Sequence, residues 1–134
     1  MRPYSQAIEK LRGAGLRPTR QRLALAKLLF EGGPRHFTAE MVRTEAHEAT
    51  VAVSLATVYN TLHQFTQAGL LKEIVVDPAR SYFDSTTTEH AHYYHEDTGV
   101  LEDIPESINL SDMPSIPTGC KISGIDVVVR LSSQ

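Results

Sequence analysis

The sequence predicts an α+β fold in which amphipathic helices closed by a β-hairpin form the first half and a small α/β domain forms the second. Three observations predict it. Apolar residues recur at helical spacing in four successive stretches before residue 68, and a β-branched run broken by Asp77-Pro78-Ala79-Arg80 follows them. Beyond residue 88 a period of two replaces the helical period. At 134 residues, with 41% hydrophobic and 22% charged residues, the chain can bury a modest core, and this composition excludes a disordered polymer. No apolar run reaches the roughly eighteen residues of a membrane span. The opening Met-Arg-Pro-Tyr-Ser-Gln leads into an amphipathic helix rather than a signal-peptide core, so a cytoplasmic protein is expected.

Tyr4 to about Ala14 places Ala7, Ile8 and Leu11 on one helix face, and Gly13 and Gly15 stop it. Thr19 is placed to cap a second helix, in which Leu23, Ala26, Leu29 and Phe30 recur until Gly32-Gly33-Pro34. Thr38 caps a third, from Ala39 to about Thr50, with Met41, Val42 and Ala46 on one face. Ser54 opens the fourth and most informative helix. There Leu55, Val58, Leu62 and Phe65 form a core face, and Thr57, Asn60, Thr61 and Gln64 form a polar, uncharged opposite face that ends at Ala68-Gly69. Such a face can enter a major groove without repelling phosphate and can pair with base edges. Leu70–Val76 and Ser81–Asp84 read as paired strands, and three helices with this hairpin make a winged helix-turn-helix. After a polar Ser85-Thr86-Thr87-Thr88 hinge, strands are expected over His90–His95, Val100–Ile104 and Lys121–Leu131. Pro105, Pro114 and Pro117 leave room between the last two for little more than a turn of helix. The expected boundaries are therefore residues 1–84, 85–88 and 89–134.

The formal net charge of −3 conceals a split. Residues 1–80 carry 11 Lys/Arg against 7 Asp/Glu, whereas residues 81–134 carry 2 against 9. Eight of those basic residues fall within residues 1–35, the electrostatic footprint of a polyanion partner. Arg20, Arg22, Lys27 and Arg35 are the expected phosphate neutralisers. His90, His92 and His95 lie within six residues of the acidic half and point to a cation site there. The single cysteine, Cys120, excludes an internal disulfide and a thiolate zinc cluster within one chain, and it is expected to be a small core residue.

Taken together, Gly15-Leu16-Arg17-Pro18-Thr19-Arg20-Gln21-Arg22, Ser54-Leu55-Ala56-Thr57-Val58-Tyr59 and His90-Ala91-His92 resemble the ferric uptake regulator superfamily over nearly the whole chain. Tyr59-Asn60-Thr61-Leu62-His63-Gln64-Phe65 and Gly124-Ile125-Asp126-Val127-Val128-Val129-Arg130-Leu131 are similar to its haem-responsive branch, the iron response regulator of alphaproteobacteria. The resemblance implies a homodimeric transcription regulator of iron or haem homeostasis. Tyr59 and Asn60 would enter the major groove beside Thr57, and Arg17 would lie in an A·T-rich minor groove or at phosphates. It also implies a metal site of His36, Asp84, His90 and His92 for iron, manganese or zinc, with Asp84 where Glu is more usual. Haem would take axial ligands from His90, His92 and His95 and release DNA.

The sequence departs from its relatives at two places. His95-Glu96-Asp97-Thr98 stands where many carry a structural Cys-x-x-Cys zinc pair, and Ala91 stands where haem-responsive relatives often have a further His. The readings that stay open are haem-controlled release, metal-dependent repression, and a small non-catalytic metal-binding protein. No HExxH, nucleophile motif or carboxylate–His pair indicates catalysis. A second domain of some fifty residues interrupted by prolines is too small to cover its last strand, so pairing across a two-fold axis is expected.

Overall fold

The computed structural model describes residues 4–134; Arg2, counted above among the basic residues, lies outside them with its two neighbours. The chain forms two compact units, one ending at Thr87 and the other beginning at Thr88. The first contains α1 (Ser5–Gly13), α2 (Arg20–Phe30), β1 (His36–Phe37), α3 (Ala39–Glu48), α4 (Leu55–Gln67), β2 (Lys72–Asp77) and β3 (Arg80–Asp84). The second contains β4 (His92–His95), β5 (Val100–Asp103) and β6 (Val128–Leu131). The fold is α+β, with a winged-helix unit first and a small second unit organised on a sheet.

In the first unit α2, α3 and α4 start where small hydroxyl side chains satisfy orphan amides. Thr19, Thr38 and Ser54 accept hydrogen bonds from the backbone N–H of Arg22, Met41 and Thr57. Helix α4 stops because Gly69, at φ +84°, takes the left-handed conformation that reverses the chain into β2. Leu11, Leu25, Leu29, Val42, Val58, Leu62 and Phe65 are fully buried in one core against Phe37 and Phe83. On α3 the buried residues are Ala39, Val42 and Ala46. Met41 falls off that stripe and is exposed, contrary to expectation. On α4 Thr61 is buried beside Leu62, so it belongs to the core face rather than the polar one.

The wing sheet has the order β1-β3-β2, all antiparallel. Strand β1 was not foreseen, because two residues are too few to show a period. It matters nonetheless, since its register sets His36 opposite Asp84 and Phe37 opposite Phe83. The Phe37 and Phe83 rings stack at 6.3 Å.

In the second unit β4 is central, antiparallel to β5 and parallel to β6. The last strand spans only Val128–Leu131, not Lys121–Leu131, because β4 offers just four residues to pair with. Residues 105–127 between β5 and β6 run irregularly and leave Ile108, Leu110, Met113, Ile116, Ile122 and Ile125 exposed. Cys120 lies in this segment, one residue after the turn at Thr118-Gly119, and is exposed rather than in the core. Among the described residues no helix is long and apolar enough to cross a membrane.

Phe65 is fully buried and its ring centroid lies 6.0 Å from that of Phe30. Phe65→Ala is expected to lower the stability of the first unit by roughly 3–5 kcal/mol, read from the denaturant midpoint at unchanged slope.

Candidate metal centre and nucleic-acid interface

In the first unit His36 and Asp84 face each other across the β1–β3 pairing. His36 Nε2 lies 3.1 Å from Asp84 Oδ2, and Asp84 Oδ1 accepts the Thr86 N–H at 2.8 Å. Asp84 is 1% exposed, and the imidazole and the amide help to make the burial of its carboxylate tolerable.

In the second unit the β4–β5 hairpin sets His92 opposite Asp103. The His92 backbone N–H also donates to Val127 O at 3.1 Å in the segment entering β6, so this histidine is held by ladders on both sides. Its Nε2 lies 3.3 Å from Asp103 Oδ1, and His90 Nε2 lies 3.0 Å from the same oxygen. The two imidazole rings are 4.3 Å apart. His90, His92 and Asp103 thus each offer one ligand atom within 4.8 Å of the others. His90 Nδ1 faces Thr88 O at 2.8 Å, a carbonyl that can only accept. A neutral imidazole that donates there carries its lone pair at Nε2, the tautomer in which that nitrogen can serve as a metal ligand.

The expectation that no carboxylate pairs with the histidine cluster is overturned here by Asp103, for which the sequence does hold a signal. Once the hairpin pairs His95 with Val100, antiparallel counting brings His92 to Asp103. His95, by contrast, does not join His90 and His92. It sits three residues after His92 on the opposite face of β4, where its Nε2 pairs with Glu102 Oε1 at 2.9 Å.

On the candidate nucleic-acid side of the first unit, Asn60 is exposed on α4, while Thr57 and Tyr59 are half-buried. The Tyr59 hydroxyl donates to Glu40 Oε1 at 3.0 Å and its ring stacks on His63 at 6.4 Å. Burial and then the Glu40 carboxylate push the phenol's pKa up, so it stays a neutral donor. Arg17 is exposed in the turn before α2. Three expected groups are engaged within the protein instead. Gln64 accepts from the Arg22 guanidinium, and Arg35 forms a two-pronged pair with Glu45 at 2.8 and 2.6 Å. Arg20 remains exposed, and Lys27 Nζ sits 5.1 Å from the centre of the Tyr4 ring.

A winged-helix unit with a helix face of this kind, followed by a sheet carrying clustered imidazoles and a carboxylate, defines a class of ligand-controlled DNA-binding proteins. Residues 13–129 match the ferric uptake regulator family, and the chain belongs to that family. It is therefore a transcription regulator that binds DNA and responds to metal, not an enzyme. The chain is 33% identical over 120 residues to the peroxide operon regulator of Bacillus subtilis (strain 168), covering 88% of this chain and 82% of that protein. Its structure is similar to that of the ferric uptake regulator from Pseudomonas aeruginosa with manganese (TM-score 0.70, 25% identity, 96% of this chain and 98% of that one). It also shares its fold with the Vibrio cholerae ferric uptake regulator (TM-score 0.71, 22% identity, 94% and 98% coverage).

The Arg35–Glu45 pair yields a pH prediction. The hydrogen bond from Arg35, joined by its charge, holds the Glu45 carboxyl below its ordinary pKa against the opposing effect of burial. A lowered native pKa contributes stability that is full above the ordinary glutamate range and is lost as pH falls through the native value. The stability gap between the wild type and Glu45→Gln should accordingly be constant near neutrality and close in acid, as urea midpoints across a pH series would show.

Proposed function

We propose that this chain is a dimeric, metal-dependent repressor whose promoter affinity is set by one divalent cation, held by His36 and Asp84 together with His90, His92 and Asp103. The observation that carries it is the convergence of His90, His92 and Asp103 within the second unit. Five nitrogen and oxygen donors without thiolate suit Fe(II), Mn(II) or Zn(II). A bound cation supplies the positive charge toward which these imidazole and carboxylate lone pairs are directed. The chain's own residues do the rest. Thr88 O orients the His90 ring, the β4–β5 register holds Asp103 against His92, and the β1–β3 register holds Asp84 against His36. The six exposed apolar side chains between Ile108 and Ile125 support association of the second unit with its counterpart in a dimer.

The expected result is that Mn(II) raises affinity for an A·T-rich promoter duplex, and that Asp103→Ala and His92→Ala each weaken Mn(II) binding by roughly 10–100-fold or more in calorimetric titration. Unchanged metal affinity in both variants would overturn the site. The named role of the Bacillus subtilis relative makes Fe(II) with hydrogen peroxide an informative further arm.

Haem-triggered release through His90, His92 and His95 is the second reading; it rests only on the sequence resemblance of residues 59–65 and 124–131 to the haem-responsive branch, whereas curated relatives such as the Bacillus subtilis protein are peroxide regulators. Because His95 lies on the opposite face of β4, it and the His90–His92 pair could not ligate the same side of one haem, and His90 or His92 would first have to leave Asp103. If haem weakens promoter binding in the wild type but not in the His90→Ala/His92→Ala variant, this reading replaces metal control.

For DNA we propose base contacts from Thr57, Tyr59 and Asn60 and a minor-groove or phosphate contact from Arg17. Arg17→Ala should weaken cognate and scrambled duplexes alike. Asn60→Ala should cost on the order of 1–3 kcal/mol at the cognate site and far less elsewhere. Equal losses in both variants, measured by fluorescence anisotropy at one salt concentration, would reject the division of roles.

A further inference from the structure

Arg22, in the first turn of α2, was expected from its charge to face phosphate, but its guanidinium is engaged on both edges. Nε and Nη2 donate to Gln64 Oε1 at 3.1 and 3.0 Å, and Nη1 donates to the Arg17 carbonyl oxygen at 2.9 Å. Gln64 lies one turn beyond Asn60 on α4. The Arg17 carbonyl also accepts the Thr19 N–H at 2.9 Å, and Pro18 confines the Arg17 backbone to extended conformations. The Arg17 backbone is thus fixed while its side chain is exposed.

From this geometry we infer that Arg22 is a positioning residue for DNA readout: it ties the turn carrying Arg17 to the helix carrying Asn60. The inference rests on the DNA contacts proposed for those two residues. Two side chains that must reach different parts of a duplex together need a fixed separation, and small displacements of either forfeit its contact. Only a planar fork can do this at one position. A lysine ammonium is a single donor atom and cannot serve Gln64 and the Arg17 carbonyl at once across the span of a guanidinium.

A double-mutant cycle separates this role from a phosphate contact by Arg22 and an independent base contact by Gln64. Arg22→Lys, Gln64→Ala and the double variant are compared with the wild type on cognate and scrambled duplexes over a range of salt. Affinities are taken per folded molecule, and thermal unfolding is followed in parallel. The expected result is a loss of about tenfold at the cognate duplex for either single variant and no further loss for the double, because all three remove the same link. Arg22→Ala should leave the slope of log K against log salt unchanged. Additive losses, wild-type affinity in Arg22→Lys, or a slope reduced by about one unit in Arg22→Ala would each overturn the positioning role. A wild type that binds neither duplex would instead overturn the DNA reading on which the inference rests.

Discussion

Antiparallel register sets an imidazole opposite a carboxylate twice in this chain, and the candidate metal chemistry depends on that repetition. In the wing, β1 and β3 bring His36 to Asp84; in the second unit, β4 and β5 bring His92 to Asp103. A slip of one residue in either pairing would turn the histidine to the other face of its sheet. Different devices fix the two registers. In the wing, Phe37 and Phe83 stack beside the pair and are completely buried, so a slip would expose two phenyl rings. In the second unit β4 is locked between two neighbours, and Tyr94 and Leu101 are buried opposite each other next along the same face.

The register argument also explains what the sequence made legible. Helices were readable because Leu55, Val58, Leu62 and Phe65 declare a face, and because Thr19, Thr38 and Ser54 are caps whose chemistry is local. His36 and Asp84 are legible only through the family resemblance, whereas His90 and His92 are marked by their closeness in the acidic half, not by periodicity. Asp103 escaped notice because its role comes from a strand partner eleven residues away, and an exposed aspartate near a strand end has no distinguishing composition. His95 was grouped with His90 and His92 by closeness in sequence, yet on a strand three residues is an odd step and carries a side chain to the other face. The intraprotein partners of Arg22, Arg35 and Gln64 are hidden from the sequence for a related reason. Charge and polarity were legible, whereas the partners that engage them come from α3, α4 and a turn.

Electrostatics divides the molecule as the sequence divides. The acidic second half would repel DNA phosphates, while the basic residues of the first 35 positions attract them. Within that basic set the structure separates side chains by what they touch. Arg35 is neutralised by Glu45, Arg22 meets only neutral oxygens, and Arg17 and Arg20 extend into solvent. A count of basic residues therefore overstates the groups available to phosphate, and salt dependence should reflect the smaller number.

The distribution of donors gives the proposed metal control its physical content. Under the proposed reading the first unit would contribute two donor groups and the second three. A transition-metal ion that takes four to six ligands would need water to complete its shell on either set alone. Under the proposed reading, an ion that draws on both sets must reduce the freedom of one unit relative to the other, and that loss of freedom is a free energy which the groups proposed to contact DNA can share. Linkage then works in both directions. If the loaded arrangement matches the duplex, DNA must tighten the cation by the same factor by which the cation tightens DNA. The polar face of α4 need not change at all for this to operate. Base recognition and ligand control can then reside in different side chains, Asn60 for the first and Asp103 for the second, coupled through the conformations that both states permit.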